Sequence, residues 1–372
     1  MRLAIVTHNV IRGDGQGRVN YEIARAAMAQ GAHVTLISNR VEQSLLDEGA
    51  ELLYVPISTG KVILVKGQEF AFRADRIVKN LPAGDVVMGC GFTLSCAHNV
   101  NVVHFVHSSW LRSPMHICRQ RRSLYSAYQW LYTAANARME KETLRQAKRV
   151  VAVSDQVRND LITSGIPSDK IQVIHNGVDL KEFIPGIQGR ESLGLPVDVP
   201  LAFFAGGLRT HLKNVDTILK ALVRSPDLHL AIAGDTKGSP FPDMARSLGV
   251  ADRTHFLGYR RDIPALMKAS DMFVFPSRYE SFSLVLLEAM ASGLPVITAK
   301  TVGASDLVIE EAGIVLDDPN DTDGLVAAMN ILVSNPQVRK SMGEAARKVA
   351  ELNSWEEMGT QYLTLLKEAE NL

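Results

Sequence analysis

Short apolar runs alternate along this chain with longer segments whose apolar residues recur at the spacing of a helix. In the first half the apolar runs lie at residues 3–6, 34–37, 52–55, 86–88, 102–106, 150–153 and 171–174. In the second half they lie at residues 201–205, 228–233, 255–257, 272–275, 296–299 and 314–316. The clearest helical segments are residues 18–29 and 123–147. Buried parallel strands are apolar on both faces and are joined by helices, so this pattern predicts an α/β protein of two doubly wound, Rossmann-like domains.

Proline and glycine interrupt both periodicities between residues 183 and 200. The sequence therefore predicts a first domain over residues 1–186 and a second over residues 187–354, followed by a last helix over residues 355–372. A length of 372 residues suits two domains of ordinary size. Ligands of such sheets bind beyond the carboxyl ends of the strands, so we expect the two domains to face each other across a cleft that holds the site.

The composition argues against several classes of protein. With 40 basic and 40 acidic residues, the chain has no overall field that would favour nucleic acid. Its three cysteines form no CxxC pair, which is typical of a reducing compartment such as the cytoplasm. The N-terminal apolar run is too short for a signal peptide, and no run approaches the roughly 18 residues of a spanning helix. We expect a cytoplasmic protein that touches a membrane at its surface at most.

The most informative segment is RYESFSLVLLEAMASG, residues 278–293, which follows an apolar run. A strand, a turn of small residues and a helix closed by glycine leave free N–H groups at the helix start, where phosphate binds. Glu280 precedes this helix, and Glu288 lies about two turns along it. Two such carboxylates suit a nucleotide sugar, with one binding sugar hydroxyls and the other a ribose diol. The alternative for Glu288 is a structural ion pair near a buried surface.

With seven residues between them, Glu280 and Glu288 resemble the E-x7-E motif of the family 4 retaining glycosyltransferases, which have the GT-B fold. The resemblance implies that Glu280 contacts hydroxyls of the donor sugar and that Glu288 binds the ribose. It implies that the backbone amides of Ser283 and Leu284, next to Phe282, meet the diphosphate. It also implies two Rossmann-like domains facing across a cleft, and a C-terminal helix that crosses back to the first domain.

Members of this family neutralise the leaving diphosphate with basic residues rather than with a metal ion. Lys213 aligns with the family lysine that has this role. Gly207 stands where the family places an arginine, and Arg209, two residues later, is the candidate to replace it. The alternative for either cation is a solvated charge on a loop.

Three further positions resemble the family pattern. Gly15 and Gly17 open the first predicted helix like the family's glycine-rich loop, which lets backbone approach the donor phosphate, although glycine turns are common in Rossmann units. His107 matches a histidine close to the donor sugar better than His104 does; the alternative is a histidine satisfied within the fold. The segment Tyr259–Arg260 follows a strand where the family binds the base through backbone groups and stacking.

No metal ion or other cofactor is expected, since the nucleotide sugar is a substrate. The acidic cluster at residues 317–321 follows an apolar run and precedes a helical segment, as a turn with a helix cap does. No spacing of histidine and cysteine indicates zinc.

A basic segment, residues 112–149, interleaves arginine and lysine with tyrosine and tryptophan. It fits a solvated helix face packed by its aromatics and balanced by Glu140 and Glu142. It also fits a peripheral contact with an anionic membrane, or a site for an anionic, lipid-linked acceptor. We expect the acceptor to be a glycan, a lipid-linked molecule or a small molecule.

Together these features predict a metal-independent hexosyltransferase that transfers a sugar from a nucleotide diphosphate sugar, most simply a UDP-sugar. Retention of the anomeric configuration follows from the resemblance alone. Two alternatives stay open: a nucleotide-sugar isomerase or hydrolase of the same fold, and a non-catalytic protein that binds nucleotide sugars.

Overall fold

The computed structural model describes residues 1–57 and 63–370, apart from the side chains of residues 63–65. Contacts between residues divide the protein into two compact units. Unit 1 comprises residues 1–177 and the C-terminal helix that begins at Trp355, and unit 2 comprises residues 178–354. Residues 178–186, which precede the boundary predicted from proline and glycine, belong to unit 2 by this division.

Unit 1 is built on a seven-stranded parallel sheet. The strands of this part of the chain are β1 (Arg2–Val6), β2 (Asn9–Val10), β3 (His33–Ser38), β4 (Arg40–Val41), β5 (Glu51–Tyr54), β6 (Val86–Cys90), β7 (His98–Val103), β8 (Ala147–Ala152) and β9 (Ile171–Val173). The sheet has the order β5-β3-β1-β6-β7-β8-β9, while β2 pairs with β4. All seven strands predicted for the first half are present, but the run at 102–106 is shifted, because β7 ends at Val103.

Helices connect these strands. They are α1 (Gly15–Ala29), α2 (Gln43–Asp47), α3 (Ile63–Val78), α4 (His107–Arg112), α5 (Ile117–Gln120), α6 (Leu124–Gln146) and α7 (Asp155–Thr163). Serine caps α6 and α7, where the hydroxyls of Ser123 and Ser154 accept hydrogen bonds from the backbone N–H groups of Ser126 and Val157. Such caps satisfy donors that a helix start otherwise leaves free.

Unit 2 repeats the plan with six parallel strands. These are β10 (Leu201–Ala205), β11 (His229–Ala233), β12 (Thr254–Gly258), β13 (Met272–Phe275), β14 (Val296–Ala299) and β15 (Gly313–Leu316). Its helices are α8 (Val215–Val223), α9 (Phe241–Ser247), α10 (Ile263–Lys268), α11 (Leu284–Ala291), α12 (Thr322–Ser334) and α13 (Pro336–Glu351). The strand order is β12-β11-β10-β13-β14-β15, so all six predicted strands are present. Every residue of β10 and β13 is buried, as expected for central strands covered on both faces.

The C-terminal helix α14 (Trp355–Glu370) packs on α1 of unit 1, as predicted. A Cβ atom at Gly359 would lie only 2.6 Å from the Cβ of Ala26, so glycine allows the two helices to approach closely. Tyr362 is fully buried, and the Asn99 amide donates to the carbonyl of Ala369 at 2.9 Å. None of the helices in the described parts of the chain combines the length and apolar character needed to cross a membrane.

Candidate functional site

The strand order of unit 2 reverses between β10 and β13, where successive connections leave the sheet in opposite directions. Such a point opens a crevice beyond the carboxyl ends of the strands. Lys213 lies in a single helical turn after β10, and Glu280 lies in the loop after β13. The Lys213 ammonium forms an ion pair with the Glu280 carboxylate, and the side chains are 23% and 24% exposed. The fold therefore brings these two predicted site residues together at an edge that solvent reaches.

Hydrogen bonds and a second ion pair join the two loops that carry the Lys213–Glu280 pair. The Arg278 backbone N–H and the Ser277 hydroxyl both donate to the carbonyl of Leu212, at 2.9 and 3.1 Å. The Arg278 guanidinium donates to both carboxylate oxygens of Asp216 at 2.8 Å. Burial raises the pKa of Asp216, but the hydrogen bonds and charge of Arg278 outweigh it and hold that pKa below its usual range. These charge-assisted bonds keep the two loops in one arrangement.

Asn214 is a second anchor of the same loop, and sequence patterns did not reveal it. Its backbone is left-handed, with φ of 64°, a conformation in which asparagine is enriched. Its buried side-chain amide donates to the carbonyls of Pro276 and Pro319. Pro319 belongs to the acidic cluster at 317–321, which is the predicted turn: Asp321 caps α12 by accepting the Gly324 N–H. The turn thus supports the loop that carries the lysine.

The environment of Lys213 shifts the pKa of its ammonium group. Burial lowers the pKa of Lys213 to about 8. The Glu280 carboxylate acts in the opposite direction, since an adjacent negative charge favours the ammonium form. The ammonium also lies 5.5 Å from the centroid of the Phe275 ring. Lys213 is therefore a partly desolvated cation, of the kind that interacts strongly with an incoming anion.

The start of α11 offers backbone donors next to this ion pair. Ser283 precedes the helix with φ of 87°, its own side chain makes no capping hydrogen bond, and its hydroxyl has no hydrogen-bond partner among the described residues. The preceding loop is pinned by backbone bonds from Glu280 N–H to Thr301 and from Ala304 N–H to Phe282, at 3.0 and 2.7 Å. A rigid, uncapped helix start carries a partial positive charge and suits an anion.

Glu288 lies on the more accessible side of α11. It is half-buried, as is Leu284, which precedes it by four residues and so shares its face. The fully buried residues of the helix occupy the other faces, and they are Leu286, Leu287, Ala289, Met290 and Ala291. Its carboxylate therefore lies at the margin of the core rather than within it.

Arg209 and Gly207 are exposed in the loop after β10. The Arg209 guanidinium pairs with the Asp235 carboxylate at 2.7 Å, and its side chain is 67% exposed. A Cβ atom at Gly207 would meet no atom within 4 Å, so packing does not require glycine at that position. The structure thus directs Arg209 to Asp235 rather than to Glu280.

The segment after β12 is the predicted place for the base. Gly258 has a left-handed backbone with φ of 69°, and its carbonyl accepts the Gly234 N–H at 2.8 Å. Tyr259 is 75% exposed, which leaves its ring available for stacking. Arg260 instead forms a two-pronged ion pair with Asp262.

In unit 1, Gly15 is the first residue of α1, which follows β1 and β2. A Cβ atom at Gly17 would lie 2.9 Å from the carbonyl oxygen of Ile11, so glycine is needed there for close backbone approach. Asn20 is fully buried, and its amide donates to the Thr7 hydroxyl at 3.1 Å. Within this loop, Gly17 is therefore tightly packed, whereas Gly15 is exposed.

His107 begins α4 instead of ending a strand. Its ring nitrogen Nδ1 lies 3.0 Å from one carboxylate oxygen of Glu140, and its backbone N–H donates to the other at 3.0 Å. The rings of Phe92 and Phe105 meet the imidazole edge-on, with centroids 5.2 and 5.0 Å away. A carboxylate clamp and two aromatic rings therefore fix the orientation of this histidine.

His107 and Glu140 line a pocket of about 300 Å³ at the carboxyl ends of the central strands of unit 1. The other lining residues are His8, Gln16, Cys90, Gly91, Phe92, Thr93, His104 and Phe105. Burial lowers the pKa of His8, and lowers that of His104 to about 4, so both imidazoles are neutral near pH 7. Burial also raises the pKa of the Cys90 thiol to about 11. The pocket therefore combines apolar surface with a few polar groups, most of which are uncharged.

The expectation that Glu140 balances charge on a solvated helix face is wrong, because this side chain is only 3% exposed. The signal that could have found it is a polar stripe at helical spacing. Buried polar residues of α6 are Ser126, Thr133, Asn136, Glu140 and Thr143. A helix that turns polar side chains inward must provide them with partners there, and His107 is the partner of Glu140.

Replacing Glu140 with glutamine should lower the free energy of unfolding by about 1.5–3 kcal/mol, because both hydrogen bonds to His107 lose a charged acceptor. Urea denaturation followed by circular dichroism measures this change. Glu142→Gln is the matched control, since Glu142 lies on the same helix with its side chain 55% exposed. Equal midpoints for the two variants would contradict the prediction.

Two family models match this chain. Residues 13–182 match "Glycosyltransferase Family 4", and residues 188–349 match "Glycosyl transferases group 1". Among curated proteins, the D-inositol 3-phosphate glycosyltransferase of Saccharomonospora viridis is 31% identical over 249 residues, which is 62% of this chain and 58% of the relative. The protein of that name from Mycobacterium marinum is 34% identical over 58% of this chain and 49% of its own length. The chain thus spans about half to three-fifths of the length of these relatives.

Several solved structures share the fold over nearly the whole length of this chain. Sucrose-phosphate synthase from Thermosynechococcus elongatus has a TM-score of 0.78 at 20% identity, covering 99% of this chain and 98% of that one. WaaG, a glycosyltransferase involved in lipopolysaccharide biosynthesis, has a TM-score of 0.77 at 21% identity, covering 98% and 99%. Anabaena Alr3699/HepE in complex with UDP has a TM-score of 0.71 at 20% identity, covering 99% and 100%.

The two matched segments lie on either side of the residues that link the domains, and together they account for most of the chain. Glu280 in the loop before α11, Glu288 on α11 and the lysine after β10 lie at the topological switch point of the second matched segment. The chain therefore belongs to the glycosyl transferases group 1, glycosyltransferase family 4, and it has the GT-B fold.

Proposed function

We propose that this protein is a retaining, metal-independent glycosyltransferase that transfers a sugar from a UDP-sugar to a polyhydroxylated acceptor. The observation that carries the proposal is the Lys213–Glu280 ion pair at the switch point of unit 2, beside the uncapped start of α11. Retention is supported by the family pattern alone.

In the proposed reaction an acceptor hydroxyl forms a bond to the anomeric carbon while the bond from that carbon to the diphosphate oxygen breaks, and the hydroxyl proton passes to the departing diphosphate. Negative charge then develops on the departing diphosphate. The Lys213 ammonium and the backbone N–H groups at Ser283 and Leu284 stabilise that charge without a metal ion. Glu280 holds the lysine ready before the donor binds and accepts hydrogen bonds from hydroxyls of the donor sugar.

The nucleoside half of the donor is assigned to the same unit. Glu288 accepts hydrogen bonds from the ribose diol, and the base stacks near Tyr259 beside backbone groups of Gly258 and Arg260. Uridine is preferred because solved structures of Alr3699/HepE, which share the fold, are described as complexes with UDP and with UDP-glucose. This preference rests on a likeness of fold, so the base is the part of the proposal that experiment should address first.

Arg209 is proposed to supply the second cation in place of the arginine that Gly207 replaces. Its ion pair with Asp235 is exposed, and exposed ion pairs contribute little to stability. The guanidinium is therefore free to exchange Asp235 for a diphosphate oxygen at little cost.

The pocket of unit 1 is assigned to hydroxyl groups of a sugar or of the acceptor. The neutral polar groups within its largely apolar lining, together with the clamped His107, suit a sugar, whose hydroxyls accept and donate hydrogen bonds and whose ring carbons pack on apolar surface. The curated relatives are named for D-inositol 3-phosphate, a phosphorylated polyol, which supports a polyhydroxylated acceptor here. The free thiols of the described chain suit a reducing compartment, and we place the reaction in the cytoplasm.

Thermal unfolding with a panel of UDP, GDP, ADP and their sugar derivatives tests the donor site. We expect UDP or a UDP-sugar to raise the melting temperature, with EDTA present, because a ligand at 100 times its Kd stabilises by about 2.7 kcal/mol. Glu288→Gln should weaken that binding by about tenfold or more, as for loss of a charged hydrogen bond. Glu311→Gln, at an exposed glutamate of the same unit, is the matched control.

Three outcomes would count against the proposal. No shift with any nucleotide, for protein shown to be folded, would remove the donor site. A shift that is lost with EDTA would point to a metal-bridged diphosphate instead. Release of free sugar or a sugar isomer, without transfer to any acceptor, would favour a hydrolase or isomerase of the same fold.

A further inference from the structure

The first two turns of α6 expose an unusual set of apolar side chains. Leu124 is 93% exposed, Leu131 58%, Tyr125 53% and Trp130 46%. Together with the exposed Arg119, Arg121 and Arg122, which lie just before the helix, these residues define what we call the α6 surface. A groove of about 360 Å³ lies within it, and its lining includes Arg121, Arg122, Trp130 and Leu131.

The amphipathic character of α6 is reversed relative to an ordinary surface helix. Such a helix turns its apolar stripe towards the core and its polar residues towards water. Here the buried face carries Ser126, Thr133 and Asn136, while leucine and tryptophan point outward. The core of unit 1 does not account for these apolar residues, and clusters of exposed apolar residues mark surfaces that bind something.

The charge around this surface is one-sided. Residues 86–139 contain no aspartate or glutamate, although the whole chain has 40 acidic residues that balance its 40 basic ones. Within the parts of the chain that the structure describes, Arg119, Arg121 and Arg122 have no ion-pair partner. The surface therefore presents unneutralised positive charge beside apolar and aromatic side chains.

We propose that the α6 surface docks on a bilayer that contains anionic phospholipid. Arginine would meet the lipid phosphates, and Leu124, Trp130 and Leu131 would enter the interfacial region, where tryptophan and tyrosine are favoured. A second copy of this chain fits less well, because a symmetric contact would bring the same arginines face to face. This inference does not depend on the proposed reaction.

Docking would also bring the pocket that His107 and Glu140 line close to the bilayer. Glu140 lies on the same helix, nine residues beyond Leu131, which corresponds to about 14 Å along the axis. A bilayer in contact with the α6 surface would therefore lie close to the His107–Glu140 pocket, within reach of an acceptor held at the membrane.

Co-sedimentation of the full chain with phosphatidylcholine vesicles, with and without phosphatidylglycerol, tests this proposal. We expect binding only to the anionic vesicles. Reversing two charges, Arg121→Glu with Arg122→Glu, should lower the partition coefficient about 30-fold or more. Each basic residue near such a surface strengthens binding about fivefold, and the two new carboxylates add repulsion. Lys237→Glu with Arg246→Glu, two exposed cations of unit 2, is the matched control and should bind like the wild type.

A second pair of variants separates insertion from simple attraction. Leu124→Gln with Leu131→Gln should weaken vesicle binding even at high salt, where charge is screened, whereas Ile309→Gln with Leu352→Gln, at exposed sites of unit 2, should not. Trp130 fluorescence should shift to the blue on binding, and Trp130→Phe should remove that shift. Melting temperatures of all variants verify their folding.

Equal vesicle binding by the wild type and both α6 variants would overturn the proposal, as would no binding to anionic vesicles. A wild-type dimer in light scattering that dissociates in the leucine variant would assign the surface to a second copy instead. Activity is not needed for any of these measurements, so their failure is distinct from failure of the proposed reaction.

Discussion

Replacing Lys213 with alanine should lower the rate of sugar transfer by about 100- to 1000-fold at saturating donor. A preorganised donor aimed at developing charge contributes a factor of this size, and Lys213 is the partly desolvated cation at the switch point of unit 2. The loss should appear mainly in kcat, because the charge on the diphosphate grows as its bond to the sugar breaks. Steady-state kinetics with purified acceptor measures the change.

Glu280→Gln should also lower transfer, and it separates two roles of the pair. If Glu280 binds sugar hydroxyls, the variant should lose turnover while UDP alone still stabilises it, since UDP carries no sugar at that position.

For the Lys213→Ala variant, Lys220→Ala, at an exposed lysine on α8, is the control for removing one positive charge from the unit. Retention of more than a tenth of the wild-type rate by Lys213→Ala would exclude this lysine from the mechanism.

The pH profile of kcat/KM should bend downward on its alkaline side, near pH 8. Burial lowers the pKa of Lys213 to about 8, and only its protonated form can neutralise diphosphate. The direction follows directly: below that pH the lysine is a cation and the enzyme is active, and above it the rate falls by about tenfold per pH unit. Because kcat/KM reports the free enzyme, bound donor does not mask this titration.

Lys213→Arg should remove the bend, because a guanidinium stays charged above pH 12. The variant should be slower overall, because its planar group fits the site differently, but its rate should not fall between pH 8 and 10. An unchanged bend in this variant would assign the titration to another group. A profile without any bend would show that Glu280 holds the lysine protonated throughout the range.

The rhythm of strands and helices was predictable because parallel strands buried on both faces must be apolar along their length. All thirteen predicted strand runs therefore appear in the two sheets. The shift of one run, at 102–106, has a local reason. Apolar residues continue past Val103, but the chain turns there so that His107 can begin α4 and meet Glu140.

Parts of the candidate site were also predictable, because Glu280 and Glu288 lie only eight positions apart in one continuous segment of loop and helix. The orientation of Arg209 towards Asp235 was not, because Asp235 follows a different strand. The role of Asn214 as an anchor of the Lys213 loop was not predictable from the sequence either. Its left-handed backbone and two carbonyl partners depend on Pro276 and Pro319, which are distant in sequence.

The sequence by itself determined the class of fold, because strand and helix periodicity is local. It indicated the family through the resemblance of one short segment, the E-x7-E motif. Only the tertiary structure decided that Lys213 pairs with Glu280 across 67 positions and His107 with Glu140 across 33. Strand order makes β10 and β13 neighbours, and helix packing turns the polar stripe of α6 inward. Such long-range pairs are settled by the packing of the whole sheet, in which each contact depends on elements far apart in the chain.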